Sequence, residues 1–260
     1  MRLTTIGTGT AAPSPSRVCA GHLVDAGPTR LLLDCGSGVV HRLAALGVDW
    51  MGITHLAFTH FHNDHISDLV TLLYAWRYGA LPWRDRPVTL IGPASTGDLV
   101  ARIDAVYGGS LGELGYLIEV HELPAGESME LPGGTVLSSR KVPHTPESVA
   151  YSIVHGGRRL VYTGDTGPDE GLGAWAAGCD VLLAECSLPA AMRVGSHLTP
   201  EDCAELAARA LPRTLVLTHF YPPVEQVDVR AIIGERYAGR VILAHDGWSM
   251  PLGEGESETV

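Results

Sequence analysis

The heptapeptide THFHNDH, residues 59–65, crowds three histidines and one aspartate into a single turn. Neutral imidazole and carboxylate oxygen together suit zinc, and manganese or iron accept the same donors. Along an extended segment residues i and i+2 point to the same side, so His60 and His62 can grip one ion as the chain leaves a strand. Asp64 and His65, one turn onward, then face a second ion. A lone histidine at a strand end is ordinarily a satisfied polar residue; four donors within six residues point to metal. Two ions need more ligands. Three further donors follow apolar strands and precede Gly- or Pro-rich turns: His144 in KVPHTPE, Asp165 in YTGDTG and His219 in VLTHFY. Loops so placed are where function collects.

The elements that must position these donors are short apolar runs. RLTTIGT, GHLVDAG, RLLLDCG, THLAFTH and PVTLIGP read as strands ended by glycine, histidine or proline. After GSG at 36–38, Val39, Val40, Leu43 and Leu46 share one helical face, and Gly47 fits a C′ position. Residues 66–78 are a second predicted helix, whose stripe of Leu69, Leu72, Leu73 and Trp76 is either core or a dimer surface. SVAYSIVHGGRRLVYTGD reads as a hairpin turning at His155-Gly156-Gly157, DVLLAEC as a buried strand, and RTLVLTHF and GRVILAHDG as late strands. TPED at 199–202 opens a helix, with Thr199 as N-cap, Pro200 at the first helical position, and Glu201 and Asp202 as first-turn acids.

An internal echo is also present. RLLLDCGSG (30–38) is like RLVYTGDTG (159–167), and THLAFTHFH (54–62) is like TLVLTHFYP (214–222). Either buried strands are alike by chance, or two strand-rich halves deliver donors to one seam. With no linker in view, residues 1–252 are expected to form one domain and 253–260 a disordered acidic tail.

Bulk composition narrows the function classes. In 260 residues, 45% apolar content suffices for a sizeable core, and no apolar run approaches the roughly 18 residues of a membrane span. No signal peptide is visible at MRLTTIGTGT, so a cytoplasmic protein is expected. The net charge of −11 disfavours nucleic acid as a partner while leaving open a small anion drawn to metal. Five cysteines (Cys19, Cys35, Cys179, Cys186, Cys203), odd in number and without a CxxC pair, read as reduced, partly buried thiols.

HxHxDH followed by a later His, a GDT-type Asp and a THF His resembles the metallo-β-lactamase superfamily. IGTGTAAPSPSR, LLLDCGSG, THFHNDHISDL, HTPESVAYSI, GDTG, SHLTPEDCAELA and LVLTHF, in that order over most of the chain, resemble its ribonuclease Z-like phosphodiesterase branch. The resemblance implies an α/β (α+β) fold, a four-layer αββα sandwich with the site on one edge of two sheets. It assigns His60, His62 and His144 to one ion, Asp64, His65 and His219 to the other, and Asp165 to both. Asp34 in LLLDCG would orient the histidine loop, as metal ligands generally require. Two divalent ions, Zn2+ or else Mn2+ or Fe, roughly 3.5–4 Å apart would hold a bridging hydroxide and screen charge on phosphoryl oxygens. Oxygen-reducing di-iron relatives typically carry Glu where this chain has His62, which favours a hydrolase. A homodimer through the segment after the histidine loop is a further implication.

Two departures from ribonuclease Z proper shape the expected substrate. Its tRNA-gripping arm falls between the third His and the bridging Asp, where this chain has only a tight hairpin. Its His–Glu motif aligns with AECS at 184–187, so the histidine is missing while Glu185 remains. His197 in GSHLTPE matches a second histidine of the branch; it contacts phosphate, or protonates the leaving group, or helps cap the helix from Thr199. Asp64, Glu185 and His197 are the candidate catalytic residues. The reading is a dinuclear metal-dependent hydrolase acting on small or cyclic phosphodiesters, a small-molecule anionic ester being the partner. Alternatives are a lactonase, β-lactamase or arylsulfatase on the same metals, a tRNA 3′-processing endoribonuclease, or a non-catalytic scaffold. His22, His41, His55, His121 and His155 have no partner pattern. His245 and Asp246 either support the metals or finish the fold, and Tyr221, Pro222 and Pro223 are expected to wall the pocket.

Overall fold

The computed structural model describes residues 1–253, so the expected acidic tail lies, apart from Gly253, outside the described residues. Two seven-stranded sheets carry the chain. One contains β1 (Arg2–Gly7), β2 (Gly21–Ala26), β3 (Thr29–Leu33), β4 (His55–Ala57), β5 (Val88–Gly92) and β6 (Ile118–Glu122) in sequence order. The other contains β7 (Ser128–Leu131), β8 (Thr135–Lys141), β9 (Val149–His155), β10 (Arg158–Tyr162), β11 (Val181–Glu185), β12 (Thr214–Thr218) and β13 (Arg240–Leu243). The last strand, β14 (Ser249–Pro251), crosses back and pairs antiparallel with β1.

Period-two alternation assigns each side chain to a layer. Leu31 and Leu33 of β3, Leu160 and Tyr162 of β10, Val181 and Leu183 of β11 and Val216 of β12 fill one core between the sheets. Their neighbours point the other way: Leu32 and Leu56 pack beneath helices α1 (Val39–Ala45) and α3 (Leu69–Tyr78), with α4 (Thr96–Val106) beside them. Val161, Leu182, Leu215 and Leu217 pack beneath α5 (Glu170–Trp175), α6 (Pro200–Ala210) and α7 (Val229–Gly234). Three cores between four layers make the αββα sandwich. Among the described residues no helix is long and apolar enough to cross a membrane.

Both sheets end in a parallel run, β3–β4–β5–β6 and β10–β11–β12–β13, and each run starts from the second strand of a hairpin. The carboxyl ends of a parallel run lie at one edge, where α/β folds place their ligands. Asp34, Thr59 and Asp165 all follow such ends, and so does His219. The sheets are laced together there: Val149 N–H donates to the Thr59 carbonyl (3.0 Å), and the Tyr151 hydroxyl donates to the Phe58 carbonyl (2.8 Å).

The echo between 30–38 and 159–167 falls on β3 and β10, which hold matching places in the two sheets. That between 54–62 and 214–222 falls on β4 and β12, one strand out of step. The hairpin turn is tighter than expected: His155 still pairs with Arg158, leaving Gly156 and Gly157, both at positive φ, as the two-residue turn. The helix expected over 66–78 is broken, with α2 (Asn63–Ile66) preceding α3, because Asp68 accepts Val40 N–H (2.9 Å) instead of continuing a helix. Leu69, Leu72, Leu73 and Trp76 are buried core, as one of the two readings had it; Leu46, outside α1, is 38% exposed. All five cysteines are free thiols, four of them buried.

Candidate metal centre

The donors anticipated from the sequence converge at the laced edge. Ligand atoms of His60, His62, His144 and Asp165 lie within 4.8 Å of one another, and so do those of Asp64, His65 and His219. Asp165 divides its carboxylate between the two sets. Oδ2 stands 3.8 Å from His60 Nε2 and 3.7 Å from His144 Nε2, while Oδ1 stands 3.3 Å from His65 Nε2 and 3.4 Å from His219 Nε2. Asp64 Oδ2 is 3.4 Å from His219 Nε2.

Each histidine but one is held by Nδ1, which fixes the tautomer and turns the Nε2 lone pair inward. His65 Nδ1–H donates to Asp34 Oδ2 (2.8 Å), His144 Nδ1–H to the Ser196 carbonyl (2.8 Å), His219 Nδ1–H to Ser187 Oγ (2.9 Å) and His60 Nδ1–H to Thr59 Oγ1 (3.1 Å). His62 is the exception: it presents Nδ1, 3.0 Å from His144 Nε2. Asp34 is the hub of this support. It also accepts the Thr59 amide (2.8 Å), the Thr59 hydroxyl (2.9 Å) and the Tyr162 hydroxyl (2.8 Å). Asp34 and His219 both sit at positive φ (57° and 59°), a backbone cost that non-glycine residues carry mainly at functional sites.

The cluster fits divalent cations. His60 Nε2 and Asp165 Oδ1 are buried with no hydrogen-bond partner, a costly condition that a bound cation removes. Inward lone pairs also face one another, His65 Nε2 at 3.4 Å from His219 Nε2, an arrangement that neutral imidazoles tolerate around a positive charge. The carboxylates draw positive charge into the cluster, whether a proton or a cation. Burial opposes charge on Asp165, yet His219 and His65 hold its carboxyl well below the usual range. Burial would depress His65, but Asp165 and Asp34 drive it well above an ordinary histidine.

His197 does not cap α6. That end is closed by a capping box in which Thr199 and Asp202 bond reciprocally. His197 instead binds Glu185 through Nδ1 (3.1 Å to Oε2), stands 3.9 Å from Asp165 Oδ2 and stacks on His219 at 5.8 Å between centroids. Burial works against its protonation, but the Glu185 hydrogen bond and charge push it up to about 9. Glu185, fully buried, also accepts Thr166 N–H (2.6 Å) and the Ser187 hydroxyl.

The family model of the β-lactamase superfamily domain matches residues 29–220, most of this chain. The chain belongs to the metallo-β-lactamase superfamily. Its placement on the ribonuclease Z-like branch follows from its relatives. A protein named ribonuclease Z from Mycobacterium bovis is 32% identical over 277 aligned positions, covering 95% of this chain and 96% of the relative. Human tRNase Z, short form, superposes with a TM-score of 0.79 at 25% identity, covering 97% of this chain and all of that one. The metallo-β-lactamase fold protein YhfI from Bacillus subtilis shares the fold, with a TM-score of 0.83 at 22% identity over 96% of this chain and 98% of its own. As a member of this superfamily the chain is a metal-dependent hydrolase, with a His/Asp cluster for divalent cations.

For this metallo-β-lactamase superfamily member, sequence reasoning missed Ser187, Ser196, Thr59 and Tyr162. Ser187 was within reach, since alternation puts it on the side of Glu185 two residues earlier. Thr59 adjoins His60 and Ser196 adjoins His197, but nothing local says that they hold Asp34 and His144, and Tyr162 meets Asp34 from the other sheet. Asp246 finishes the fold: it accepts Thr8 N–H (2.9 Å) and Val18 N–H (2.8 Å) and pairs with Arg42 (3.3 Å), while His245 is exposed. His22, His41, His55, His121 and His155 join none of the donor clusters among the described residues. The Tyr221 ring stands steeply inclined to those of His219 and His197, with centroids 6.0 and 6.2 Å apart.

Proposed function

We propose that this chain is a dinuclear phosphodiesterase acting on small phosphodiesters, with His60, His62, His144 and Asp165 holding one cation and Asp64, His65, His219 and Asp165 the other. The observation that carries it is the division of Asp165, one carboxylate oxygen toward each histidine set. Two divalent cations bound there would supply Lewis acidity, bring a bound water's pKa toward neutrality and steady both oxygens of an in-line displacement. The imidazole-rich donor set suits Zn2+ and also admits Mn2+ or Fe. The chain's own residues contribute alignment: Asp34, Ser187 and Ser196 orient histidines, and Asp165 spans the pair. An acid role for His197 is supported by its bond to Glu185 at the margin of the cluster, from which a proton can pass to a leaving oxygen.

The phosphodiester preference draws on relatives named ribonuclease Z; the small size draws on the two-residue turn joining β9 and β10, where an RNA-gripping arm would extend. A second reading, tRNA 3′ processing, is favoured by near full-length similarity to those relatives. Assaying bis-p-nitrophenyl phosphate, a precursor tRNA, a lactone, an aryl sulfate and a β-lactam side by side on metal-loaded protein separates these readings. Diester turnover well above the rest supports the proposal, and negligible diester turnover removes it. Less than one metal equivalent per chain after purification in zinc would favour a scaffold without chemistry. Self-association beyond α3, where Tyr78 and Leu81 are exposed, belongs to the same reading and is tested by sedimentation velocity.

A further inference from the structure

The rim of the metal centre is built from stretches anchored on the cluster itself. Residues 188–196, LPAAMRVGS, leave it at Ser187, which holds His219, and return at Ser196, which holds His144. Their neck is closed by Ser187 N–H donating to the Leu198 carbonyl (3.0 Å). On this loop Met192 and Val194 are 50% and 43% exposed. A second stretch is Tyr221 with Pro222 and Pro223. A third, TAAPSPS at 10–16, is fixed beside His219 by Phe220 N–H donating to the Thr8 carbonyl (3.0 Å). A fourth is His144 between Pro143 and Thr145-Pro146.

Apolar and neutral residues dominate these stretches, and the cations within or beside them are engaged elsewhere. Arg17 binds Glu225 (2.7 Å) and the Ala244 carbonyl (2.8 Å) and lies over the Phe220 ring. Arg193 binds Asp202. Lys141 donates to the Thr145 and Ser148 carbonyls. A polyanion binds by handing its phosphates to Lys and Arg, and an apolar rim offers a second charge no such contact. Any anionic charge beyond the phosphoryl group would therefore find on this rim only His197, already bound to Glu185, within a chain of net charge −11.

We infer that the site selects phosphodiesters carrying one negative charge and apolar ester groups, aryl or short alkyl, which rest on the 188–196 loop and the Tyr221–Pro223 wall. This deepens the phosphodiesterase reading and rests on it. The loop is a specificity element: its exposed methionine and valine contact the organic group, and its ends keep that contact in register with His144 and His219.

The test uses the metal-loaded full chain and p-nitrophenyl diesters that share a leaving group but carry phenyl or 4-carboxyphenyl as the second ester. The expected result is a kcat/KM about tenfold or more higher for the phenyl diester, carried mainly by KM. The double variant Met192→Lys/Val194→Lys, whose side chains are exposed, is expected to narrow or invert that ratio with metal content intact. Equal kcat/KM for the two diesters in the unaltered chain overturns the inference and leaves the phosphodiesterase reading standing. A short oligonucleotide cleaved as well as the phenyl diester overturns it too. No turnover of either diester removes the phosphodiesterase reading and this inference with it. An unchanged ratio in the double variant overturns the role given to the loop.

Discussion

Ser187 Oγ lies 2.9 Å from Nδ1 of His219, accepting its N–H while the hydroxyl donates to Glu185. One hydroxyl thus fixes the tautomer of a cluster histidine and ties it to the carboxylate that grips His197. Ser187→Ala should weaken cation binding about 10- to 100-fold, the usual effect of losing a partner that orients a ligand. Ser187→Thr, which keeps the hydroxyl, should restore most of it. Competition against a chromophoric chelator measures both; equal affinities for the Ala variant and the unaltered chain would refute the assignment.

Asp165→Ala removes the carboxylate shared by both histidine sets. The variant should retain fewer than one cation per chain and lose turnover, where the unaltered chain is expected to hold two. Elemental analysis after gel filtration decides this, and two retained equivalents would contradict the shared-ligand geometry.

His197→Ala should keep its metal content and slow diesters of poor leaving groups more than those of good ones, because an acid matters most where the departing oxygen is basic. A plot of log kcat/KM against leaving-group pKa should steepen. Parallel lines for variant and unaltered chain would mean that His197 binds phosphate instead.

His22 supplies a pH prediction away from the cluster. It is fully buried, packs edge-on to Tyr162 at 5.0 Å, and has neither ring nitrogen hydrogen-bonded. Burial, with the neighbouring His65 and His219, lowers it from 6.5 to about 3. Between those values the unfolded chain takes up a proton that the folded chain refuses, so stability falls as pH drops from about 6.5 toward 3 and is unaffected by this group above that window. One proton corresponds to about 1.4 kcal/mol per pH unit. Urea titrations at pH 4.5, 5.5 and 6.5 should show a shallower loss for His22→Phe; identical slopes would sink the idea.

Gly36 marks a close backbone approach. A Cβ there would sit 1.9 Å from the Asp64 carbonyl and 2.6 Å from the Cys19 Cβ. Gly36→Ala must push the histidine loop outward, costing about 1–3 kcal/mol or more as overpacking does and loosening cations at Asp64 and His65. Thermal melts with and without added zinc check both parts; a variant that melts and binds like the unaltered chain would be the contrary result.

Much of the site was legible because its donors end strands, and strand ends are written locally as apolar runs halted by glycine, histidine or proline. The αββα layering was legible through the family resemblance; Leu31, Leu32 and Leu33 alone could not say which sheet face met which core. What stayed hidden had physical reasons. β6 is an edge strand with four of its five residues exposed, so no apolar alternation announces it. α4 buries only Thr96 fully. The bond from Tyr162 to Asp34 joins residues from opposite sheets, and no local pattern encodes such a meeting. His22 looked roleless in the sequence, and the structure places it outside the donor clusters, in the packing.

The way the donors are shared out has a further consequence. His60 through His65 belong to the leading run of strands, whereas His144, Asp165 and His219 belong to the trailing run, and β14 returns to the first sheet as its outermost strand. Divalent cations held by both sets would therefore act as a rivet through two leaves. A chain severed between β6 and β7 would leave each fragment with an incomplete cage, so recovered hydrolysis on mixing the fragments would report their reunion directly.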